Sequence, residues 1–491
     1  ASRPEWWDED EWVIWANLGE FTIKKFELLI EANGGIPEIT LDDSDVIRRC
    51  ALTLKRYLEK YGPFIDENGD TKIYALWDQT VKGSPPKPFL NGNLYTKEEI
   101  NKVLHSESER YDFRSRDRSG HGTHVASICA GINGVAPEAE LIVVKLGDTR
   151  EKGFPRTTQL MTALQYVINE ASQAGRPVAV NISYGHNYGD HRGNSLLERF
   201  ISQIAQQWKC TICIGTGNEG NSGKHKQGKL IKEEQKILLD IAPFEQNLNL
   251  QIWKDFVDEL RIQLESPSGI SYEITDQQGK SQYSYENTIV FVYNGYPTPY
   301  NVRQEIFLSF IVQEGNHIES GQWNLTLIPR NIRNGEYQMW LPVSLGSNQE
   351  TRFLEPDKEF TLTIPSTAEN VISAGAYDVR YQSYADFSGR GDQRYGVKKP
   401  DLVAPGVGIL AAAPGGGENS LSGTSMATPF VTGAAALLME WGIIRKNDPY
   451  LYGERIKAYF HKGARKMNGF LDYPNNEIGY GKLCVAASLY K

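Results

Sequence analysis

Ser422-Gly-Thr-Ser-Met-Ala-Thr-Pro429 is the strongest local signal in this chain of 491 residues. A serine flanked by glycine and small residues stands directly before an apolar segment, predicted to be helical over 428–441. The serine hydroxyl then lies at a helix N-terminus, where backbone N–H groups can face a negatively charged oxygen. Pro429 is predicted to sit early in the helix, where its missing N–H costs little. The alternative is an ordinary helix start, since Ser and Thr are frequent N-caps.

A second motif, Gly120-His-Gly-Thr-His-Val-Ala126, supplies a candidate base. A serine hydroxyl is a weak nucleophile unless a base sits beside it. His121 stands at the predicted start of an apolar helix and next to glycine, so its ring can project into a cleft. His124 could join it on a metal, but the sequence lacks the carboxylate of an H-E-x-x-H zinc site. We therefore interpret His124 as a structural histidine.

Two further polar residues follow predicted strands. Asp78 ends the apolar run 74–77, and a charge there is costly unless it is paired, for instance with a histidine N–H. Asn218 lies in the glycine-rich turn 214–220, where an amide donor can stabilise the negative oxygen of a tetrahedral intermediate. Each residue has an alternative interpretation, Asp78 as a turn residue and Asn218 as part of a common Gly-Asn turn.

Strand and helix patterns divide the chain into an α/β part and an inserted β part. From residue 72 onward, short apolar strands alternate with helices, which predicts a parallel sheet with helices on both faces. Residues 225–355 show only short strands separated by turn signals, which predicts an inserted β-sandwich or jelly-roll domain. The α/β domain is therefore predicted in two parts, 71–224 and 356–491. Residues 1–70 are either an N-terminal extension or a propeptide-like segment.

The order Asp, His, Asn, Ser along an α/β pattern resembles the subtilisin family of serine peptidases, over about residues 72–220 and 360–485. The resemblance implies a subtilisin-like fold in which Ser425 is the nucleophile and His121 the general base, then the acid. Asp78 would orient the imidazole, and Asn218 with the Ser425 N–H would form the oxyanion hole. Further residues are implied to line the S1 pocket and to pair with the substrate backbone, with Thr216 narrowing the pocket: Ser183, Tyr184, Gly185, Gly215, Thr216 and Gly217.

Two details depart from the usual family pattern. Asp78 is followed by Gln79 and Thr80, where the family usually has a small residue and glycine. The short link 131–136 leaves no room for the calcium-binding loop of many secreted members. No metal or other cofactor is expected.

The runs 76–80, 183–190 and 473–476 resemble the clostridial Csp-type subtilases, germination proteases with a jelly roll inserted at this place. This likeness implies a serine endopeptidase that acts through an acyl-enzyme on a specific protein target such as a zymogen. Some Csp proteins are pseudoproteases, so a catalytically silent binding protein is the alternative. The filled triad positions favour activity.

The bulk composition limits other classes of function. A formal net charge of -9 argues against nucleic-acid binding, and no run of about 18 apolar residues predicts a membrane helix. Five cysteines are an odd, sparse set that makes a poor disulfide framework and favours a reducing compartment. We expect a cytoplasmic or spore-associated protein that meets a protein or peptide substrate. Secretion and the oligomeric state are left open.

Overall fold

The computed structural model describes residues 62–489, except 67, 107–112, 148–154, 276–278, 344–346 and 397. Most of the predicted N-terminal segment, 1–70, therefore lies outside the described residues. The helices of the described part are α1 (Lys97–His105), α2 (His121–Ala130), α3 (Thr157–Gln173), α4 (Leu196–Ile204), α5 (Thr424–Met439), α6 (Glu454–Gly463) and α7 (Val485–Leu489).

The strands of the described part are numbered in chain order. They are β1 (Ile73–Asp78), β2 (Asn93–Thr96), β3 (Leu141–Lys145), β4 (Val178–Ile182), β5 (Cys210–Gly215), β6 (His225–Lys229), β7 (Gln235–Ile241), β8 (Asn247–Asp255), β9 (Glu259–Glu265), β10 (Ser271–Thr275), β11 (Gly279–Ser284), β12 (Thr288–Asn294), β13 (Arg303–Val312), β14 (Gly321–Asn331), β15 (Glu336–Trp340), β16 (Arg352–Phe353), β17 (Ile372–Asp378), β18 (Ser383–Tyr384), β19 (Leu402–Pro405), β20 (Ile409–Ala412) and β21 (Glu418–Leu421).

The first of two compact units comprises, within the described residues, 62–179, 408–422 and 429–451. Its strand β1 lies between β2 and β3, antiparallel to β2 and parallel to β3. Because β1 and β3 run parallel, their carboxyl ends meet, and Asp78 pairs in register with Lys145. Helix α2 begins after Gly120, whose φ of +78° is in the left-handed region that glycine tolerates.

The second unit comprises, within the described residues, 180–407, 423–428 and 452–489. Its central sheet has the strand order β18-β17-β5-β4, with β19 also paired to β17. β17 runs parallel to β5 and β19. Every residue of β5 is buried, as expected for a parallel strand covered on both faces. The α/β class predicted from the alternating pattern is confirmed.

An antiparallel β region follows β5 within the second unit. Its two sheets have the orders β10-β9-β14-β7-β16 and β11-β12-β13-β8-β15-β6, and they share one hydrophobic core formed by residues between 230 and 353. Three strands of this antiparallel region are not among those that the sequence predicts, namely β6, β11 and β16. All three lie at sheet edges, where a strand needs few apolar side chains and gives a weak sequence signal. The predicted domain division and jelly-roll connectivity stay predictions.

Helix α5 begins at Thr424, four residues before the predicted start at 428. Pro429 therefore lies inside the helix, beyond its first turn, and not near its start as predicted from the sequence. With the π turn Glu440–Ile444 the helical segment reaches 21 residues, and its most apolar 18-residue window has a mean hydropathy of 1.4. By length and composition alone it could span a membrane, although no run of apolar residues had suggested this. Since 61% of its most apolar window is buried inside the protein, a core helix accounts for it.

Candidate active site

Ser425 lies in the first turn of α5, where helix N–H groups have no intrahelical acceptor. Its carbonyl oxygen would normally accept from the N–H four residues later, but Pro429 has none. Ser183 Oγ donates to this carbonyl oxygen instead, at 3.0 Å. The backbone at the predicted nucleophile is therefore held by a hydroxyl from the segment that follows β4.

Asn218 is anchored to the start of α5 through its side-chain oxygen. Asn218 Oδ1 accepts from Thr424 N at 2.9 Å and from Thr424 Oγ1 at 3.2 Å. Because a backbone N–H can only donate, these bonds decide which branch of the amide is the oxygen. Asn218 is exposed, and the two hydrogen bonds that its side chain makes to described residues both use Oδ1. An amide donor held open beside a serine at a helix start is what an oxyanion hole requires.

Thr424 also ties the glycine-rich turn after β5 to α5. Gly217 N donates to Thr424 Oγ1 at 3.0 Å, and Gly217 has a φ of +91°. A Cβ on Gly215 would lie 2.9 Å from Thr428 Oγ1, so glycine is needed there for the close approach of strand and helix. The turn that carries Asn218 is therefore held against the start of α5 through Gly215 and Gly217.

Thr216, predicted to narrow an S1 pocket, is fully buried. Its Oγ1 lies 3.3 Å from Ser388 Oγ. Its N–H donates to Ala374 O at 3.1 Å, and its carbonyl oxygen accepts from Thr363 N at 2.9 Å. These contacts make Thr216 a support for the turn, and its role in substrate binding stays a prediction.

Tyr184 and Gly185, with Ser183, form the segment after β4 that was predicted to bind substrate. Tyr184 is half-buried, and burial raises the pKa of its phenol to about 12, so the ring is neutral. A Cβ on Gly185 would overlap Thr363, and a Cβ on Gly217 would overlap the same side chain. Thr363 therefore lies beside both predicted substrate-binding segments.

We expect Gly217→Ala to lower the free energy of unfolding by about 2–4 kcal/mol, because the added Cβ overlaps Thr363 in a left-handed backbone. Gly396→Ala is the matched control. Gly396 has a φ of +79°, but nothing lies within 4 Å of its Cβ position, so only a backbone cost of about 1–2 kcal/mol remains. Chemical unfolding measures both values, and equal losses would contradict the crowding at Thr363.

Asp78 is the last residue of β1 and is fully buried. Its Oδ1 accepts from Thr80 N at 2.8 Å and Thr80 Oγ1 at 2.6 Å. Its Oδ2 accepts from Ser115 Oγ at 2.6 Å and Lys145 Nζ at 3.3 Å. The buried charge is paired, as the sequence required, but by a lysine. Of the hydrogen bonds that Asp78 makes to described residues, none comes from His121.

Gln79 and Thr80, the two residues that depart from the family pattern, have defined contacts. Gln79 Nε2 donates to Gln159 O at 3.1 Å, and Gln79 Oε1 accepts from Gly147 N at 3.2 Å. Thr80 binds the Asp78 carboxylate directly. The unusual residues therefore fix the end of β1.

His121 is the first residue of α2. Burial, followed by the charge of His124, lowers the pKa of His121, and the charge of Asp117 opposes this shift. A lowered pKa keeps the imidazole neutral near neutral pH, which is the form that a general base needs. His124 is buried, and its Nε2 lies 3.1 Å from Ile409 O and 2.9 Å from Asn419 O, which supports its structural interpretation.

The predicted residues fall into two groups. The second unit brings four of them to the start of α5: Ser183, Gly217, Asn218 and Ser425. The first unit contains Asp78 and His121. Across the part of the chain that the structure describes, no cluster of three or more His, Cys, Asp or Glu side chains could hold a metal ion.

Sequence reasoning missed three residues that contact this site, namely Ser115, Lys145 and Thr424. Thr424 lies within the motif 422–429, and its hydroxyl directly before the serine is a local signal for such a contact. Lys145 could be found by pairing the carboxyl ends of two predicted parallel strands. No local pattern marks Ser115.

Two stretches of the chain, residues 70–236 and 327–481, match the model of the subtilase family, peptidase S8. Together they make up more than half of the chain. The chain therefore belongs to the subtilase family of subtilisin-like serine proteases.

Individual relatives agree with this assignment. The solved structure of the CspB protease of Clostridium perfringens is 37% identical with a TM-score of 0.80, over 87% of this chain and 89% of that one. This confirms the resemblance to Csp-type subtilases and the subtilisin-like α/β fold. The serine protease AprX of Bacillus subtilis is 33% identical over 131 residues, which are 23% of this chain and 28% of AprX. An intracellular serine protease of Paenibacillus polymyxa is 37% identical over 119 residues, 34% of its length. The chain thus matches about a third or less of these curated relatives.

Proposed function

We propose that this protein is a serine endopeptidase that hydrolyses peptide bonds through an acyl-enzyme. The observation that carries the proposal is the anchoring of Asn218 Oδ1 on Thr424, which leaves the Nδ2 donor open next to Ser425. Membership of the subtilase family supports it. So does the chain order Asp, His, Ser, which is the order of subtilisin.

In the proposed mechanism, Ser425 Oγ attacks the carbonyl carbon of the scissile bond while its proton passes to His121 Nε2. The carbonyl oxygen becomes an oxyanion that accepts from Asn218 Nδ2 and the Ser425 N–H. The imidazolium then gives its proton to the leaving amine as the C–N bond breaks, and an acyl ester stays on Ser425. Water attacks this ester with His121 as base, and the proton returns to Ser425 Oγ. Asp78 accepts from the other ring nitrogen and orients the imidazole.

The proposed substrate site uses the segments around Ser183 and Gly217. Ser183, Tyr184 and Gly185 on one side and Gly215, Thr216 and Gly217 on the other would flank the S1 pocket and pair with the substrate backbone. The proposed target is a specific protein, zymogen-like in character, because the Csp-type resemblance implies one. The inserted jelly roll is proposed to span 225–355, between subtilase parts 71–224 and 356–491.

One observation favours a second candidate, a subtilase that binds its target without cleaving it. The acceptor sites of Asp78 are taken up by Thr80, Ser115 and Lys145. A triad aspartate must accept from the histidine, and a carboxylate has about four lone-pair sites. Reactivity of the serine separates the two candidates.

The test is covalent labelling with a fluorophosphonate probe. We expect the folded protein to be labelled on Ser425, located by peptide mass spectrometry, because only an activated serine displaces fluoride at a useful rate. Heat-unfolded protein and His121→Ala are the controls, and both should stay unlabelled. Folded wild type that takes up no label would favour the silent binding protein.

The pH profile should report His121. We expect kcat/KM to rise with pH through an apparent pKa below 6.5, because burial lowers the pKa of His121. Asp117→Asn should move this acid limb to still lower pH, since the Asp117 charge raises the pKa of His121. Glu98→Gln, which removes an exposed carboxylate of α1, is the control and should leave the profile unchanged. A wild-type acid limb above 6.5 would contradict this assignment.

A further inference from the structure

Asp78 has a set of donors that local sequence does not explain. The Asp78 side chain is fully buried. The Lys145 side chain, whose Nζ lies 3.3 Å from Asp78 Oδ2, is 35% exposed. Parallel pairing of β1 with β3 puts the two residues directly side by side at the carboxyl ends of their strands. The ammonium therefore stays partly in water while it neutralises a carboxylate that is out of water.

Lys145 also connects the strand ends to the chain that leads into α2. Lys145 Nζ donates to Arg116 O at 2.9 Å as well as to Asp78. Ser115, the residue before Arg116, donates its hydroxyl to the same Asp78 oxygen at 2.6 Å. Asp78, Lys145 and the pair 115–116 thus form a closed ring of contacts.

Asp117 continues this connection to the histidine. Burial alone would raise the pKa of the Asp117 carboxyl, but hydrogen bonds from Thr123, Gly120 and Ser119 outweigh it and lower the pKa. Its oxygens accept from Gly120 N at 2.9 Å and Thr123 N at 2.8 Å, on either side of His121. The segment that links this closed ring of contacts to His121 is therefore held by hydrogen bonds at both ends.

We propose that Lys145 is a positioning residue for the reaction. With Ser115 and Thr80, it holds the Asp78 carboxylate in one orientation, and it sets the distance from Asp78 to the start of α2. Its hydrogen bond to Asp78 is the longest of the four that the carboxylate accepts. It is therefore the bond that lengthens most readily when Asp78 accepts the imidazole N–H of His121. This inference rests on the proposed function, because the orientation matters only if His121 acts as a base.

The experiment compares Lys145→Met with Lys145→Arg and with Lys97→Met. Lys97 is a matched control, since its side chain is 32% exposed and forms an ion pair with Glu140 at 3.0 Å in the same unit. We expect Lys145→Met to lower kcat on a short peptide substrate about tenfold, with KM within about twofold, because a charge-assisted bond to the triad is lost. Lys145→Arg should restore most of kcat, and Lys97→Met should behave as wild type.

Ser115→Ala provides a second variant if Lys145→Met unfolds, and we expect it to lower kcat about threefold to tenfold. Thermal unfolding checks that each variant is folded. If wild type takes up the fluorophosphonate label and folded Lys145→Met keeps wild-type kcat, the positioning role is wrong while the proposed function stands. If wild type itself stays unlabelled, the proposed function fails, and the positioning role fails with it. A rise in KM alone would also overturn the role.

Discussion

Ser425→Ala is expected to lower kcat by about 10⁶-fold, the loss known for the nucleophile of subtilisin itself, a member of the same family. The loss should fall on kcat alone. The contacts that hold this position use the Ser425 carbonyl and the backbone and side chain of Thr424, and alanine retains all of them. The free energy of unfolding should therefore change by no more than about 0.5 kcal/mol. Hydrolysis of casein and of a short chromogenic peptide, with chemical unfolding in parallel, measures both quantities.

Ser422→Ala is the matched control for this variant. Ser422 belongs to the same motif, and its hydroxyl accepts from Gly408 N at 2.9 Å. We expect its kcat to stay within about threefold of wild type, because one neutral hydrogen bond contributes little. Ser425→Ala that cleaved casein at the wild-type rate would disprove the proposed nucleophile. Equal losses in the two variants would point to damage of the helix start.

Asn218→Ala is expected to lower kcat by about 10²–10³-fold with little change in KM, as known for the oxyanion amide of subtilisin. The reason is that the oxygen and the nitrogen of the Asn218 amide have different roles. Oδ1 is committed to Thr424, so Nδ2 is the end left to stabilise the negative oxygen. Steady-state kinetics on a short peptide separate kcat from KM.

Asn218→Asp tests the two ends of the amide separately. Aspartate keeps an oxygen for Thr424 N but replaces the donor with a charged acceptor that repels an oxyanion. We expect its loss of kcat to be at least as large as that of Asn218→Ala. Thr424→Ser keeps the hydroxyl and should be nearly wild type. If Asn218→Ala raised KM and spared kcat, Asn218 would be a ground-state binding residue, not part of an oxyanion hole.

Much of the α/β part could be predicted from local patterns. The sequence pattern predicts strands over 141–145, 178–182 and 210–215 and a helix over 157–173. β3, β4, β5 and α3 have these bounds, because short apolar runs between turn signals are strong local signals. Helix α5 begins four residues before its predicted start. In the fold, Ser183 Oγ donates to the Ser425 carbonyl oxygen that Pro429 leaves without a donor. A distant hydroxyl thus allows the helix to begin earlier than the local rule predicts.

Local sequence patterns were enough to predict which side chains could serve as nucleophile and base. Ser425 and His121 each need only a helix start flanked by small residues, and that is a local property of the chain. The residues that hold the candidate site residues in place depend on the tertiary fold. Ser183 and Ser425 are 242 residues apart, Asn218 and Thr424 are 206 apart, and Asp78 and Lys145 are 67 apart. No local rule chooses such partners, because they meet only after strands have paired and helices have packed.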